Sequence, residues 1–145
     1  MSNATADARG AAAVVRRFVD EYQGTGDERV ALELLAPDFV DHSPFGPFSP
    51  DRDGVIGLFR MLRAAFPDLH ATIHDQLVDR DKVVTRKTFH GTHRGEFMGM
   101  PATGRDVSFD VIDIVRVRDG LMVEHWNVVD ALALMTRLGA VPAAS

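Results

Sequence analysis

RDVSFDVIDIVRVRDGLMVEHWNVV, residues 105–129, is the stretch on which the reading of this chain turns. Strand side chains alternate between two faces. The odd positions are Val107, Phe109, Val111, Asp113, Val115 and Val117, and the even ones include Asp106, Ser108, Asp110, Arg116 and Arg118. The odd face is expected to meet the core, with Asp113 the one polar group on it. An ionised carboxylate is costly to bury without a partner. Asp113 must therefore be paired, be pushed toward its neutral form, or line a wet cavity.

The turn decides which residues face Asp113. Arg118-Asp119-Gly120 fits a three-residue turn with glycine in the left-handed conformation. That register sets Val117 opposite Leu121, Val115 opposite Val123, Asp113 opposite His125 and Val111 opposite Asn127. Opposed residues share a face, so Asp113, His125 and Asn127 converge on one pocket. A two-residue turn would put Asp113 beside Trp126 and scatter the set. The three-residue register also opposes Ile112 to Trp126 and gathers Ile112, Ile114, Met122, Trp126 and Val128 on the outer face. So large an apolar group on a sheet face points to a homodimer formed sheet to sheet.

Upstream of this hairpin the pattern is helical first. Ala8, Ala11, Ala12, Val15, Phe18, Val19 and Tyr22 recur at helical spacing until Gly24 and Gly26. Asp27 is placed to cap a second helix carrying Val30, Leu34 and Leu35, stopped by Pro37. Phe39 to His42 reads as a short extended piece. Ser49-Pro50-Asp51 starts a third helix, with Ser49 as the capping hydroxyl, and Val55, Ile56, Phe59, Leu62 and Phe66 form its buried stripe up to Pro67. Strands follow over 70–78 and 83–92, joined by a turn at Asp81-Lys82. A Gly- and Pro-rich loop, GEFMGMPATG, leads into the hairpin. Asp130 is expected to cap a closing helix over 131–138. Helices then strands make an α+β fold with an antiparallel sheet curved over the helices. A single domain over 7–140 is expected, with loose tails at 1–6 and 141–145.

Composition narrows the function. The chain has 145 residues, a formal net charge of −5 and no cysteine. One core fits that length. The charge disfavours nucleic acid, since phosphate neutralisation needs clustered Lys and Arg. No run approaches the roughly 20 apolar residues that span a membrane, and the N-terminus lacks a secretory signal, so a cytoplasmic location is expected. Disulfides and thiol chemistry are excluded. His90 and His93 have an HxxH spacing, but without an adjacent carboxylate motif no metal site is assigned.

Three pieces carry a resemblance: FPDL (66–69), GTHRGEFMGMPATGR (91–105) and DIVRVRDGLMVEHWNVVD (113–130). With them the chain resembles the SnoaL-like polyketide cyclase family, within the nuclear-transport-factor-2-like superfamily, over roughly residues 10–140. The resemblance implies a cone-shaped sheet wrapped around a pocket that the N-terminal helices close, and a homodimer or larger assembly. It implies an intramolecular aldol condensation that closes a ring of an aromatic polyketide, with no metal or organic cofactor. The family's acid/base aspartate lies two residues after a histidine of the last strand. Here the histidine is His125 and the aspartate position holds Asn127, whose amide takes no proton but can hold an enolate or carbonyl oxygen. Ala102 stands where many relatives have a second proline.

The chemistry expected is proton removal next to a carbonyl, in an aldol cyclisation or an isomerisation of an apolar carbonyl compound. Asp113 is the expected base, its proton affinity raised by burial, with Asp41 second. His125 is expected beside Asp113 to shuttle the proton, and Asn127 to hold the oxygen. Around the substrate, the resemblance implies Asp41 and His42 at the rim, and His90 is expected on the wall and Tyr22 with its hydroxyl turned inward. Phe97, Met98 and Met100 form a flexible apolar lid, with His93 and Glu96 in the loop at the mouth. Two other readings stand beside this one: a hydrolase or hydroxylase on the same scaffold, and a small-molecule binding protein without turnover, which Asn127 favours.

Overall fold

The computed structural model describes residues 3–142, with side chains from 7 to 142. Helix α1 (Asn3–Phe18) runs into a π-helical turn, Val19–Gln23, and α2 (Glu28–Leu34) follows. Strand β1 (Leu35–Asp41), helix α3 (Arg52–Ala65), strands β2 (His70–Asp79), β3 (Lys82–Thr92), β4 (Asp106–Arg118) and β5 (Leu121–Val129), and helix α4 (Ala131–Arg137) complete the chain. Of the expected tails, residues 1–2 and 143–145 lie outside the described residues, while α1 begins at Asn3, inside the first of them.

The five strands form one sheet in the order β1-β5-β4-β3-β2. The expected antiparallel sheet is in fact mixed, because β1 runs parallel to β5. β1 is also longer than the extended piece expected at Phe39–His42. Leu35 belongs to it and not to α2, and Pro37 lies within it. Proline is tolerated there because β1 is an edge strand and Pro37 falls in the irregular stretch between its pairings at Leu35 and Val40.

Helix caps follow side-chain chemistry. Asp27 accepts from the Arg29 N–H and Asp130 from the Ala133 N–H. At α3 the cap is Asp51, which accepts from Gly54, and not Ser49, whose hydroxyl donates to Asp51 instead. The turn between β2 and β3 is Arg80-Asp81, one residue earlier than expected, with Asp79 opposite Lys82.

The alternation of β4 is as expected. Val107, Phe109, Val111, Asp113, Val115 and Val117 are all buried. The hairpin register is not. Its turn has two residues, Asp119 and Gly120, both with positive φ (53° and 75°), the geometry that matches strand twist in a tight hairpin. Arg118 pairs with Leu121, Val117 with Met122, and then a bulge leaves Val123 without an opposite. Beyond the bulge Val115 pairs with His125, Asp113 with Asn127 and Val111 with Val129. The bulge restores the parity that a two-residue turn alone would have broken. The two-residue turn itself sets Met122 opposite the buried Val117, inward and only 3% exposed, so Met122 leaves the expected outer patch. Ile112 (49%) and Val128 (76%) remain exposed there, and Trp126 is half-buried beneath His42 and Lys82.

Candidate active site

A cavity of about 320 Å³ lies between the inner face of the sheet and helices α1 and α3. Phe18 from α1, Val55, Phe59 and Leu62 from α3, and Phe39 and Phe109 from the sheet give it an apolar wall. Size and lining are those of a small-molecule site, where a few convergent polar groups orient the ligand. Here those groups are Asp41, His125, Asn127, Asp113, Lys87 and Gln23, and Ser43 lies at the edge near Asn127.

The ladder explains their layout. Asp41 on β1 pairs with His125 on β5, which pairs with Val115. On the next inward-facing rung Asn127 pairs with Asp113, which pairs with Thr85. On the rung after that Val129 pairs with Val111, which pairs with Lys87. The polar groups thus run diagonally across the inner face from the β1 edge to β3.

Two pairs dominate the electrostatics. His125 Nδ1 lies 3.0 Å from Asp41 Oδ1. A carboxylate only accepts, so Nδ1 carries the hydrogen and Nε2 keeps its lone pair in the neutral ring. Burial pushes the Asp41 carboxyl up, but the hydrogen bond and charge of His125, the Ser43 N–H and His42 outweigh it and hold the group below the ordinary range. The second pair is Lys87 Nζ with Asp113 Oδ2 at 2.8 Å, their side chains 3% and 4% exposed. Lys87 also donates to Gln23 Oε1 at 3.0 Å. The expected contact between Asp113 and His125 is therefore absent. The register moves His125 one rung along, where β1 supplies Asp41, and Lys87 reaches Asp113 from the β3 side.

The remaining expected positions divide. Asp41 and Phe97 line the cavity. His42 does not: strand alternation turns it outward, where its ring stacks on Trp126 at 4.7 Å and Nε2 lies 3.3 Å from Glu124. His90 also faces outward, because Phe89 takes the inner side. Its ring stacks on His70 and its Nε2 is 3.2 Å from Thr72 Oγ1. Tyr22 is buried between Phe18 and Phe59, outside the cavity lining. Burial, with Glu28 adding to it, holds its hydroxyl proton far more tightly than usual, and that hydroxyl has no partner among the described residues.

The loop corrects three more. Phe97 and Met100 exchange backbone hydrogen bonds of 3.0 and 2.8 Å around a tight turn in which Met98 and Gly99 both have positive φ. That turn tips Met98 out to 60% exposure and leaves Met100 against the core, so only Phe97 reaches the cavity. His93 is fully buried against Phe66 and not at the mouth. The rim is formed by Pro44 and Phe45 instead.

Lys87 and Gln23 escaped the sequence reading. Lys87 had a signal: Val83, Thr85, Lys87 and Phe89 are alternate residues, so a strand with Val83 and Phe89 inside carries Lys87 inside too. Gln23 had none, since the π-helical turn that aims it at Lys87 leaves no mark in the helical periodicity.

The comparisons agree with this architecture. The family model for SnoaL-like polyketide cyclase matches residues 13–138. The aklanonic acid methyl ester cyclase DnrD of Streptomyces peucetius is 29% identical over 136 residues, 87% of this chain and 88% of that protein. Wild-type IdmH from Streptomyces antibioticus is 36% identical, with a TM-score of 0.79 over 89% of this chain and 98% of that one. TsrD from Streptomyces laurentii is 32% identical, with a TM-score of 0.82 over 92% and 97%.

Proposed function

The chain belongs to the SnoaL-like polyketide cyclase family, and from that premise we propose that it closes a ring in an apolar polycarbonyl compound by intramolecular aldol reaction. His125 is the base. Its Nε2 takes a proton from the carbon next to one carbonyl, and the enolate carbon attacks a second carbonyl of the same molecule. One C–C bond forms, and the new alkoxide takes the proton back from His125. Atoms and charge balance without a co-reactant. Asp41 orients the imidazole and favours its charged form during the transfer, and the Asn127 amide holds the enolate oxygen. Asp113, expected as the base, serves here to hold Lys87.

The observation that supports this most is the Asp41–His125 pair, 3.0 Å apart at the edge of an apolar cavity. The substrate class follows from the relative DnrD, named for cyclising aklanonic acid methyl ester. That ester is the first compound to test. Cyclisation yields a product of unchanged mass and altered retention in liquid chromatography–mass spectrometry. His125→Ala is expected to slow it by about 10²–10⁴-fold. Full turnover by that variant would remove His125 from the chemistry. A product heavier by one oxygen or one water would indicate a hydroxylase or hydrolase, and ligand recovered unchanged would indicate a binding protein. That last reading has one specific observation behind it, the amide of Asn127 at the family's acid/base position.

A further inference from the structure

Lys87, Asp113 and Gln23 line the cavity but move no proton in the scheme above. The Lys87 ammonium has three N–H donors. Two are taken, by Asp113 Oδ2 at 2.8 Å and Gln23 Oε1 at 3.0 Å. For the third, the described residues offer only the ring of Phe89, whose centroid is 5.1 Å from Nζ, a weak acceptor. Asp113 itself is incompletely used, since its Oδ1 is buried without a hydrogen-bond partner. A pair whose work was only structural is best sealed in packed core with every polar atom satisfied. This one borders a cavity and has hydrogen-bonding capacity left over.

Position adds to this. Asn127 is directly opposite Asp113 on β5 and the Lys87 ammonium reaches Asp113 from β3, with all three residues on the cavity lining. An ammonium and an amide on either side of Asp113 are each able to donate to one oxygen of a ligand, which suits two oxygens held in one plane, one of them anionic. Enolised 1,3-dicarbonyl compounds have that shape and charge. We propose that Lys87 is a further catalytic residue, binding one enolate oxygen of a 1,3-dicarbonyl substrate while Asn127 holds the other. This deepens the cyclase reading and rests on it for the identity of the substrate.

The test uses ligands that need no turnover. 1,3-Indandione at pH 8 presents a planar bicyclic enolate, indane is its apolar counterpart, and indane-2-carboxylate presents an anionic oxygen of the other kind. Binding is measured by calorimetry or ligand-observed NMR. Wild-type protein is expected to bind the indandione enolate at least about tenfold more tightly than indane, the size of one charge-assisted hydrogen bond. Lys87→Met should erase that preference, and Lys87→Arg should restore part of it. Asp113→Asn, which removes the carboxylate competing for Lys87, should tighten enolate binding. A purely structural ion pair predicts the opposite.

Equal binding of enolate and indane by the wild type overturns the proposal. So does a preference that survives Lys87→Met, or tighter binding of the carboxylate than of the enolate. Should Lys87→Met fail to fold, Asp113→Asn decides, and failure to tighten enolate binding counts against Lys87. Loss of cyclase activity with the enolate preference intact sinks the proposed reaction and leaves the anion site standing.

Discussion

Asp41 Oδ1 and His125 Nδ1 lie 3.0 Å apart although 84 residues separate them in the chain. β1 docks parallel to β5 and sets Asp41 opposite His125, and the His42 N–H donates to the His125 carbonyl at 2.8 Å. Backbone and side chain thus hold the imidazole from the same edge strand. Asp41→Asn keeps the shape but gives Nδ1 a partner that no longer favours a charged ring. Turnover is expected to fall by about 10²-fold, in kcat more than in KM, with the acid limb of the pH–rate profile displaced. An unchanged profile would reduce Asp41 to a turn residue.

Stability should carry the same signature. The Asp41 carboxyl titrates below its ordinary value of 3.8 in the folded protein. A carboxyl depressed by folding adds stability that is fully present above the unfolded value. That stability is lost as pH falls through the folded one. Urea midpoints of wild type and Asp41→Asn, compared between pH 7 and pH 3, are expected to converge as the solution is acidified. A gap that stays constant with pH would mean that the substitution acts through packing alone.

The Lys87–Asp113 pair makes a different prediction. Removing one member of a buried pair strands the other charge, at a cost of about 3–5 kcal/mol. Lys87→Met is expected to lower stability by that order, and Lys87→Met with Asp113→Leu to recover most of it. Chemical denaturation of the three proteins checks this, and strict additivity of the two substitutions would contradict it.

Asn127→Asp places, directly opposite Asp113, the carboxylate that the family resemblance implies for this position. A new acid/base group there should add a titration to the pH–rate profile and speed cyclisation of substrates that need a second proton transfer. Asn127→Ala should only slow the reaction. Identical profiles for the wild type and the aspartate variant would show that position 127 touches no reacting atom.

We propose that a second copy of the chain covers the outer face around Ile112 and Val128, which are 49% and 76% exposed. Val128→Glu is expected to give a monomer by light scattering where the wild type gives a dimer, with the cavity side untouched. A monomeric wild type would refute the assignment.

Much of this fold was legible in the residues. The inner face of β4 followed from its alternation, because the two-residue repeat of a strand depends only on local backbone geometry. The caps at Asp27 and Asp130 followed from short side chains competing for free N–H groups. The lone carboxylate at Asp113 marked the cavity wall without any knowledge of a partner.

Partners were another matter. His42 was expected at the pocket rim from the family resemblance and His90 on the wall, and alternation beside Asp41 and Phe89 sends both outward. Met98 looked like a lid residue, and a tight turn tips it into solvent. The hairpin turn was misread as three residues, and yet His125 and Asn127 reached the inner face because the bulge at Val123 made up the missing step.

The sequence alone therefore determined the apolar face of β4, the caps that start α2 and α4, and which family the chain resembles, since all three depend on neighbours a few residues apart. The tertiary structure alone decided that Asp41 belongs to His125 and Lys87 to Asp113. Those pairings depend on a bulge, a π-helical turn and a parallel edge strand. Each of these moves a side chain by one rung or one turn relative to a distant partner, and hydrophobic periodicity carries no record of such a shift.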